Sequence, residues 1–326
     1  MQYTQLGNTG LTVSRLCLGC MSFGSPGGPT HPWVIPEKDS EPFFKLAVEK
    51  GINFFDTANH YNFGDSEEIT GRMLKKYAKR DEAVVATKVG LKMGEGPNAR
   101  GLSRKHILEQ VDASLKRLQM DHVDLLYVHR LDPNTPFEEM LEALDVCVRQ
   151  GKVIYPAASS MWGWQFAKLR EMQKTAGYTP FAAMQNLYNL AYREEEREMM
   201  PYCESEGVAV VPWSPIARGF LAGNKPRDGE GTNRARTDKM GGLFGNRQDY
   251  KILDRIRKIA DETGRSAAQI AYAWVLSNDF VTSPIVGSTR IGQLQEAIDA
   301  LDVELTKGQI KRLEAPYQAR DVMGHQ

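Results

Sequence analysis

The local topology is clearest in VDLLYVHRLDPNTPFEEMLEALDVCVRQGKVIYPAASS, residues 123–160. The short apolar runs Val123–His129 and Val153–Ser159 are typical of strands that are buried on both faces. Between them, Thr135-Pro-Phe-Glu138 places an N-cap residue, a proline and a glutamate at the start of a helical pattern. A strand, a helix and a second strand in succession form a parallel unit, so this segment predicts part of a parallel sheet covered by helices.

The same alternation continues on both sides of this segment. Six further β-rich runs occur, at Leu16–Gly19, Asn53–Asp56, Val84–Lys88, Ala182–Asn186, Val208–Trp213 and Pro284–Gly287. The stretches between them have helical periodicity, and two begin with residues typical of capping boxes, Asp65–Glu68 and Ser266–Gln269. Eight strands that alternate with helices predict an α/β fold, the closed (β/α)8 or TIM barrel.

Two regions stand outside this alternation. Residues 1–15, with the turn Asn8-Thr9-Gly10, predict an N-terminal β-hairpin across the bottom of the barrel. Residues 219–247 are rich in Gly, Arg and Asn, and predict a long loop after the seventh barrel strand, on the face where barrel enzymes carry their active sites. The chain has no evident linker or sequence repeat, so we expect residues 1–326 to form a single barrel domain.

The composition excludes several classes of protein. Of the 326 residues, 41% are apolar and 25% are charged, as in an ordinary globular protein. The 41 basic and 41 acidic residues balance, which gives no electrostatic reason to expect a nucleic acid or an anionic membrane as partner. No apolar run is long enough for a membrane span and residues 1–15 lack the features of a signal peptide, so we expect a cytoplasmic protein.

Four cysteines are too few for a disulfide framework in a chain of this length. Cys17 and Cys20 form a C-x-x-C pair, which is compatible with a redox site or with half of a zinc site. Because no second cysteine pair or suitably spaced histidine follows, two neutral thiols are the favoured interpretation, and we predict no metal site.

Ionisable residues lie at the ends of three successive predicted strands, Asp56, Lys88 and His129, and Tyr61 follows the first of them closely. Because the carboxyl ends of barrel strands meet at one mouth, we expect these four side chains to converge. Free tyrosine has a pKa of about 10, and a neighbouring lysine ammonium lowers that pKa. Asp56 would keep Lys88 charged, and His129 would donate a hydrogen bond to a substrate oxygen. The set is suited to proton transfer to a carbonyl group.

Such a set needs a hydride donor, which no side chain provides, so a redox cofactor is implied. The sequence has neither G-x-G-x-x-G after a strand nor G-x-x-x-x-G-K-[ST], which argues against a Rossmann domain. Barrels bind phosphate after their seventh and eighth strands, here Trp213–Leu221 and Ile285–Arg290. The second segment offers glycine, two hydroxyls and an arginine at the start of a helix. A capped helix with a surface arginine is the alternative interpretation.

Taken together, the motifs resemble those of the aldo-keto reductase superfamily over nearly the whole chain. They are GINFFDTANHY (51–61), SEEITGRML (66–74), VVATKV (84–89), VDLLYVHR (123–130), SSM (159–161), MQNLYN (184–189), PWSPIARG (212–219) and IVGSTR (285–290). The segments LGNTGLTVSRLCLGCM (6–21) and YREEEREM (192–199) are most similar to a bacterial branch, the YajO-like reductases. The resemblance implies a barrel that binds NADPH/NADP+ and reduces a small-molecule aldehyde or ketone.

The resemblance also implies roles for individual residues. It places Asp56, Tyr61, Lys88 and His129 in a catalytic tetrad, with Tyr61 as the proton donor. Residues expected near the nicotinamide end of the cofactor are Gly19, Cys20, Met21, Asp56, Ser159, Ser160, Gln185 and Trp213, the last stacked on the ring. Residues expected along the pyrophosphate are Ser214, Pro215, Ile216, Arg218, Gly219 and Leu221, and those around the 2′-phosphate and adenine are Gly287, Ser288, Thr289, Arg290, Gln293 and Glu296.

Three positions depart from the family pattern. Pro156 removes a hydrogen-bond donor from a strand of a barrel that has no edge strand. The sequence therefore does not specify whether the backbone at Ser159 keeps the family's geometry. Ala297 stands where an asparagine often contacts adenine. Gly287 stands where many members carry lysine, so Arg290 is expected to be the main charge of the phosphate site.

Two other functions stay open. One is a dehydrogenase that works in the alcohol-oxidising direction. The other is a binding module like the potassium-channel β subunits, which share this barrel and use it partly to sense a cofactor, although the intact tetrad favours turnover. The sequence does not specify the substrate or the oligomeric state. Trp33, His60, Phe63 and the tail Val322–His325 either line an aromatic-rimmed pocket or pack as ordinary loops.

Overall fold

The computed structural model describes residues 1–28, 31–225, 231–232, 236–238 and 240–325 and contains a sheet of eight parallel strands. In the sheet the strands follow their order along the chain, and the last of the eight pairs with the first. A hydrogen bond of 2.9 Å from the Ile285 amide to the Pro212 carbonyl, and a parallel bridge between Val210 and Val281, join the two ends of the sheet. The predicted (β/α)8 barrel is therefore confirmed. The strands are β3 (Cys17–Gly19), β4 (Phe54–Asp56), β5 (Val84–Val89), β6 (Val123–Val128), β7 (Val153–Ser159), β8 (Ala183–Gln185), β9 (Ala209–Val210) and β10 (Ile285–Gly287).

Helices follow the strands along the chain and cover the outside of the barrel. Within the described ranges no helix combines the length and the apolar character that crossing a bilayer requires. The helices are α1 (Glu37–Glu49), α2 (Asp65–Tyr77), α3 (Arg104–Leu118), α4 (Phe137–Arg149), α5 (Gly163–Ala176), α6 (Met199–Ser205), α7 (Arg247–Thr263), α8 (Ala267–Leu276), α9 (Ile291–Asp299) and α10 (Lys307–Glu314).

The pair α2 and α3 illustrates how the sequence determines these helices. Ser103 caps α3 by accepting a hydrogen bond from the His106 amide at 3.3 Å, and an apolar stripe from Ile107 to Leu118 is buried. Gly71 of α2 lies directly against the Leu118 carbonyl, where any Cβ atom would clash. The close approach of the two helices therefore depends on glycine at this position.

The interior of the barrel is filled by a separate cluster of buried side chains, among them Cys17, Phe54 and Tyr127. Leu6 and Val13 belong to the same cluster. They come from the hairpin formed by β1 (Tyr3–Gln5) and β2 (Thr12–Ser14), which pair antiparallel. Since Cys17 and Phe54 are the first residues of their strands, the hairpin closes the amino-terminal end of the barrel, as predicted.

Pro156 does not interrupt β7. Its carbonyl accepts a hydrogen bond from the Ala182 amide at 2.9 Å, so the missing donor also faces β8. Regular pairing of β7 with β8 begins only at Ala158 opposite Met184. The absent donor therefore falls just outside this ladder, and Ser159 keeps its regular partner, Gln185.

The two predicted capping boxes have different outcomes. The capping box predicted at Asp65–Glu68 is wrong: α2 begins at Asp65, its N-cap is Gly64 with φ of 106°, and no side chain caps it. The Asp65 carboxylate instead accepts a hydrogen bond from the Ser25 amide at 3.1 Å. The second box is confirmed, because Ser266 and Gln269 exchange hydrogen bonds of 2.9 and 3.2 Å.

The predicted strand Val208–Trp213 is longer than the observed β9, which covers Ala209–Val210. Pro212 cannot donate to the ladder, and regular pairing stops before it. Beyond β9 the chain passes through a short 3-10 segment, Ala217–Ala222, into the long loop predicted for residues 219–247. Residues 226–230, 233–235 and 239 of that loop lie outside the described part of the chain.

Candidate active site

Lys88 is the point where the predicted tetrad residues converge. Its ammonium donates hydrogen bonds to Asp56 Oδ1 at 2.5 Å, to the Thr57 carbonyl at 2.8 Å and to Tyr61 Oη at 3.2 Å. A lysine ammonium has three donors, so each of them has an acceptor. The side chains of Lys88 and Asp56 are 0% and 3% exposed, which fixes the ion pair beneath the barrel mouth.

Burial lowers the pKa of Lys88, but Asp56 and Tyr61 together raise that pKa by more, and the net direction is upward. Lys88 is therefore charged at neutral pH. Burial also raises the pKa of Tyr61, and the opposing effect of Lys88 is smaller. The expectation that Lys88 brings the pKa of Tyr61 below its usual value is thus wrong, because Asp56 already compensates the ammonium charge and desolvation dominates.

His129 follows β6 and is 7% exposed. Its ring meets the Tyr61 ring edge-on, with 5.7 Å between centroids. Burial holds the pKa of His129 well below its usual range, and the charges of Lys88 and Arg130 lower it further. The imidazole is therefore neutral, with a single N–H to donate. In the described chain, its Nδ1 is buried and has no hydrogen-bond partner.

The second carboxylate oxygen of Asp56 connects the tetrad to the neighbouring wall of the mouth. Gln185 Nε2 donates to Asp56 Oδ2 at 2.8 Å, and Ser159 Oγ donates to the Gln185 carbonyl at 2.8 Å. Next to them, Trp213 Nε1 donates to Ser160 Oγ at 3.1 Å. The residues expected near the nicotinamide are thus connected to one another and to the proposed proton donor.

A cavity of about 1070 Å³ opens above this network. Asp56, Tyr61 and His129 line its base. Trp33, His60 and Phe63 also line it, which agrees with one of the two interpretations of these three residues. The predicted cofactor residues on its wall are Gly19, Met21, Asp56, Ser159, Gln185, Trp213, Ser214, Pro215, Ile216, Arg218, Gly219, Gly287, Thr289, Arg290, Gln293 and Glu296.

Four of the predicted cofactor residues are buried behind the cavity wall: Cys20, Ser160, Leu221 and Ser288. Ser160 contacts Trp213, whose indole Nε1 donates a hydrogen bond to Ser160 Oγ. Burial raises the pKa of the Cys20 thiol to about 12, and it also raises that of Cys17. Both are free and buried, so the C-x-x-C pair consists of neutral thiols.

The two arginines expected at the cofactor phosphates differ in their surroundings. Arg218 donates to Asp238 Oδ2 at 2.5 Å, and both side chains are nearly buried. Arg290 is exposed at the start of α9, and no carboxylate in the described chain pairs with it. The Arg290 guanidinium is therefore available to an anion, whereas that of Arg218 is already neutralised.

Sequence reasoning missed Arg130, which lies on the cavity wall directly after His129. Its position at a strand end was a usable signal, since the residue after a strand also reaches the mouth of a barrel. Tyr272 and His31 line the cavity as well, and nothing in their sequence context indicated it.

The tail Val322–His325, which the sequence placed either in the pocket lining or in ordinary loop packing, is not among the residues that line the cavity and packs behind its wall. His325 Nε2 lies 3.0 Å from Glu195 Oε1, and the other oxygen of this buried carboxylate accepts a hydrogen bond from Asn186 at 2.5 Å. Gly324 lies against the Trp213 ring, where a Cβ atom would come within 2.9 Å. The tail therefore helps to hold Trp213 in place.

Comparison with known proteins agrees with this architecture. The model of the Aldo/keto reductase family matches residues 15–318. The chain is 42% identical to a versiconal hemiacetal acetate reductase of Aspergillus parasiticus, over 97% of each chain. It is 39% identical to a putative aryl-alcohol dehydrogenase of Schizosaccharomyces pombe, over 99% of this chain and 97% of the relative. It is 36% identical to an uncharacterized oxidoreductase of Bacillus subtilis, over 96% of this chain and 95% of the relative. Likeness of this extent means that the chain is an oxidoreductase and belongs to the aldo/keto reductase family.

Proposed function

We propose that the chain is an NADPH-dependent reductase that converts an aldehyde or ketone to the alcohol, with Tyr61 as the proton donor. The observation that carries the proposal is the 3.2 Å hydrogen bond between Lys88 Nζ and Tyr61 Oη at the base of the cavity. The cavity volume, about 1070 Å³, is slightly larger than the usual range for ligand pockets, about 300–1,000 Å³. Membership of the aldo/keto reductase family supports carbonyl reduction in general.

The proton transfer follows from the charges around Tyr61. Since the pKa of Tyr61 is raised, its hydroxyl is protonated at neutral pH and can act as an acid. The neutral His129 donates a hydrogen bond to the substrate oxygen and aligns it. As negative charge develops on that oxygen, Tyr61 gives up its proton, and the ammonium of Lys88 stabilises the phenolate. Asp56 keeps the ammonium in position and charged.

The residues of the cavity fit a nicotinamide dinucleotide. Trp213 is held by Ser160 and presents a flat apolar surface for a ring, and Ser159 and Gln185 supply amide and hydroxyl groups beside it. Arg290 lies at a helix N-terminus and has no carboxylate partner among the described residues, which suits a phosphate. When bound, such a cofactor supplies the hydride. The preference for NADPH over NADH rests on Arg290, which is placed to meet the additional 2′-phosphate.

Oxidation of an alcohol is the second candidate, and the likeness to a putative aryl-alcohol dehydrogenase favours it. In that direction Tyr61 must accept a proton as phenolate. Burial raises the pKa of Tyr61, so the phenolate that oxidation requires is the minor form at neutral pH. A cofactor-sensing module without turnover is the third candidate. The hydrogen bonds that Lys88 makes with Asp56 and Tyr61 argue for catalysis.

One set of measurements separates these candidates. NADPH consumption is followed with a panel of aldehydes and ketones, and NADP+ reduction with the corresponding alcohols, at neutral pH. We expect kcat/KM to be higher for the carbonyl compounds. Higher values for the alcohols would support the dehydrogenase, and cofactor binding without turnover in either direction would support the binding module. A single barrel domain over residues 1–326 and a cytoplasmic location stay predictions of the sequence.

A further inference from the structure

Arg130 is a partly buried cation that the mechanism above does not use. Its Nη1 donates to the neighbouring His129 carbonyl at 2.6 Å and, weakly, to Ser159 Oγ at 3.4 Å. The guanidinium carbon lies 5.9 Å from the centre of the Trp213 ring. Arg130 therefore stands on the cavity wall between the proposed proton-transfer residues and the proposed nicotinamide-binding wall.

In the described chain no carboxylate pairs with Arg130, whereas most other partly buried arginines have such a partner. Arg15, which also lacks such a partner, donates to three backbone carbonyls at 2.5, 3.1 and 2.8 Å. The Nε and Nη2 atoms of Arg130 have no acceptor among the described residues, and neither atom is enclosed by protein. Burial lowers the pKa of Arg130, which reflects the cost of this arrangement. The paired arginines are Arg117 (Glu67), Arg170 (Glu206), Arg193 (Glu196), Arg218 (Asp238) and Arg320 (Asp249).

In the proposed binding mode, no phosphate of the cofactor lies near Arg130. Arg130 touches Ser159, at the proposed nicotinamide end, whereas the proposed phosphate sites lie after β9 and β10, around Arg218 and Arg290. Arg130 lines the same cavity as His129 and Tyr61, next to the position where the reacting carbonyl is expected. Lys88, the other cation there, is already satisfied by Asp56.

We infer that Arg130 is a specificity-determining residue that binds an anionic group, a carboxylate, on the carbonyl substrate. The inference rests on the proposed carbonyl reduction and deepens it, since it names the substrate class: aldehydes or ketones that carry a carboxylate. Guanidinium donors match the two oxygens of a carboxylate, and a charge-assisted hydrogen bond in a partly dehydrated cavity is among the stronger polar contacts.

The test compares acids with neutral compounds of the same shape. The 2-, 3- and 4-carboxybenzaldehydes and the corresponding formylbenzamides are reduced with NADPH by the wild type, Arg130→Gln and Arg130→Lys. For at least one ring position, we expect the wild type to prefer the acid by roughly 10- to 100-fold in kcat/KM. Arg130→Gln should remove that preference and leave the amides within about threefold, and Arg130→Lys should restore part of it. Equal kcat/KM for acid and amide at every position, or equal losses for both in Arg130→Gln, would overturn the inference.

A binding measurement keeps the inference testable if no aldehyde is turned over, an outcome that would contradict the proposed function alone. Benzoate and benzamide are titrated into the protein with NADP+ while Trp fluorescence is recorded, because Trp213 adjoins Arg130. We expect benzoate to bind roughly 10- to 100-fold more tightly than benzamide, and Arg130→Gln to abolish the difference. Arg72→Gln makes the same change of charge at a surface ion pair with Glu37. This control variant should keep the preference for benzoate over benzamide. Equal affinities in the wild type would overturn the inference.

Discussion

Gln185 and Asp56 lie 129 positions apart in the chain, and Gln185 Nε2 donates a hydrogen bond of 2.8 Å to Asp56 Oδ2. The other oxygen of the same carboxylate accepts the hydrogen bond from Lys88 at 2.5 Å. A single buried carboxylate thus connects the proposed nicotinamide-binding wall with the lysine behind Tyr61. Because both of its oxygens are used, Asp56 fixes the position of Lys88 as well as its charge.

The Asp56–Lys88 pair should show strong coupling in stability. Asp56→Asn leaves a buried ammonium without its counter-charge, and we expect a loss of about 3–5 kcal/mol in the free energy of unfolding. Lys88→Met in the Asp56→Asn background removes the unpaired charge and should recover much of that loss. Urea unfolding of the wild type, the two single variants and the double variant measures the coupling. Additive losses would mean that the two residues contribute independently.

Lys88 should also set the alkaline limit of the reduction. An acid catalyst works only while it is protonated, so the rate falls as pH rises through the pKa of Tyr61. The charge of Lys88 lowers that pKa, although burial outweighs its effect. Lys88→Met should therefore move the alkaline limb of kcat/KM to higher pH, in addition to slowing the reaction.

The control for this pH profile is His60→Ala. The His60 ring lies on the cavity rim, with Nδ1 2.7 Å from the Lys92 carbonyl. Its removal should leave the position of the alkaline limb unchanged. If the alkaline limb of kcat/KM does not shift in Lys88→Met, the limb does not report the pKa of Tyr61 beside Lys88. A shift of the same limb in His60→Ala would contradict the assignment as well.

Arg290 should decide between NADPH and NADH. A charge-assisted hydrogen bond is worth about 1.5–3 kcal/mol, so Arg290→Ala should weaken NADPH binding by roughly 10- to 150-fold. NADH lacks the 2′-phosphate, and its affinity should change by less than about threefold. Titration of both cofactors with Trp fluorescence gives the two dissociation constants. The difference should shrink at high salt, because the exposed ion pair is screened.

The matched control is Arg312→Ala, which removes an arginine that pairs with Glu262 away from the cavity. It should change neither dissociation constant. Equal weakening of NADPH and NADH in Arg290→Ala would mean that Arg290 contacts a part shared by both cofactors. Arg218 would be the next residue to test, although Asp238 already neutralises its charge.

Gly71 should be the most sensitive glycine of the α2–α3 contact. In Gly71→Ala the new methyl group would clash with the Leu118 carbonyl, and we expect a loss of about 1–3 kcal/mol or more in the free energy of unfolding. Gly308→Ala is the control, since its methyl group would meet only Thr306 Oγ1, at 3.9 Å. That change lies inside α10 and should stabilise by about 0.4–1 kcal/mol. Similar unfolding midpoints for the two variants would show that the helix contact tolerates a side chain.

The sequence predicted the barrel and the convergence of the tetrad because both follow from repeated local patterns. Alternating apolar runs and helical stripes identify strands and helices, and in a parallel barrel every carboxyl end reaches the same mouth. Asp56, Lys88 and His129 could therefore be placed together without any knowledge of long-range contacts. Tyr61 followed from its short distance to Asp56 along the chain.

Other features depend on packing, which no local pattern encodes. The net direction of the Tyr61 pKa is set by burial, and neither burial nor the compensation of Lys88 by Asp56 can be read from spacing. The contact of His325 with Glu195 joins residues 130 positions apart. The capping box predicted at Asp65 is wrong because Gly64, with positive φ, is the N-cap of α2. The helix therefore begins at Asp65, one residue earlier than a box with Asp65 as N-cap would place it.

The central claim, that Tyr61 donates the proton, is tested most directly by the kcat of Tyr61→Phe for aldehyde reduction with NADPH. The variant removes one hydroxyl beside Lys88 and keeps the aromatic ring, so the fold and the affinity for NADPH should be retained. General-acid catalysis typically contributes about 10²- to 10⁴-fold, and kcat should fall by that order. A variant that binds NADPH normally and keeps half of the wild-type kcat would show that Tyr61 is not the acid.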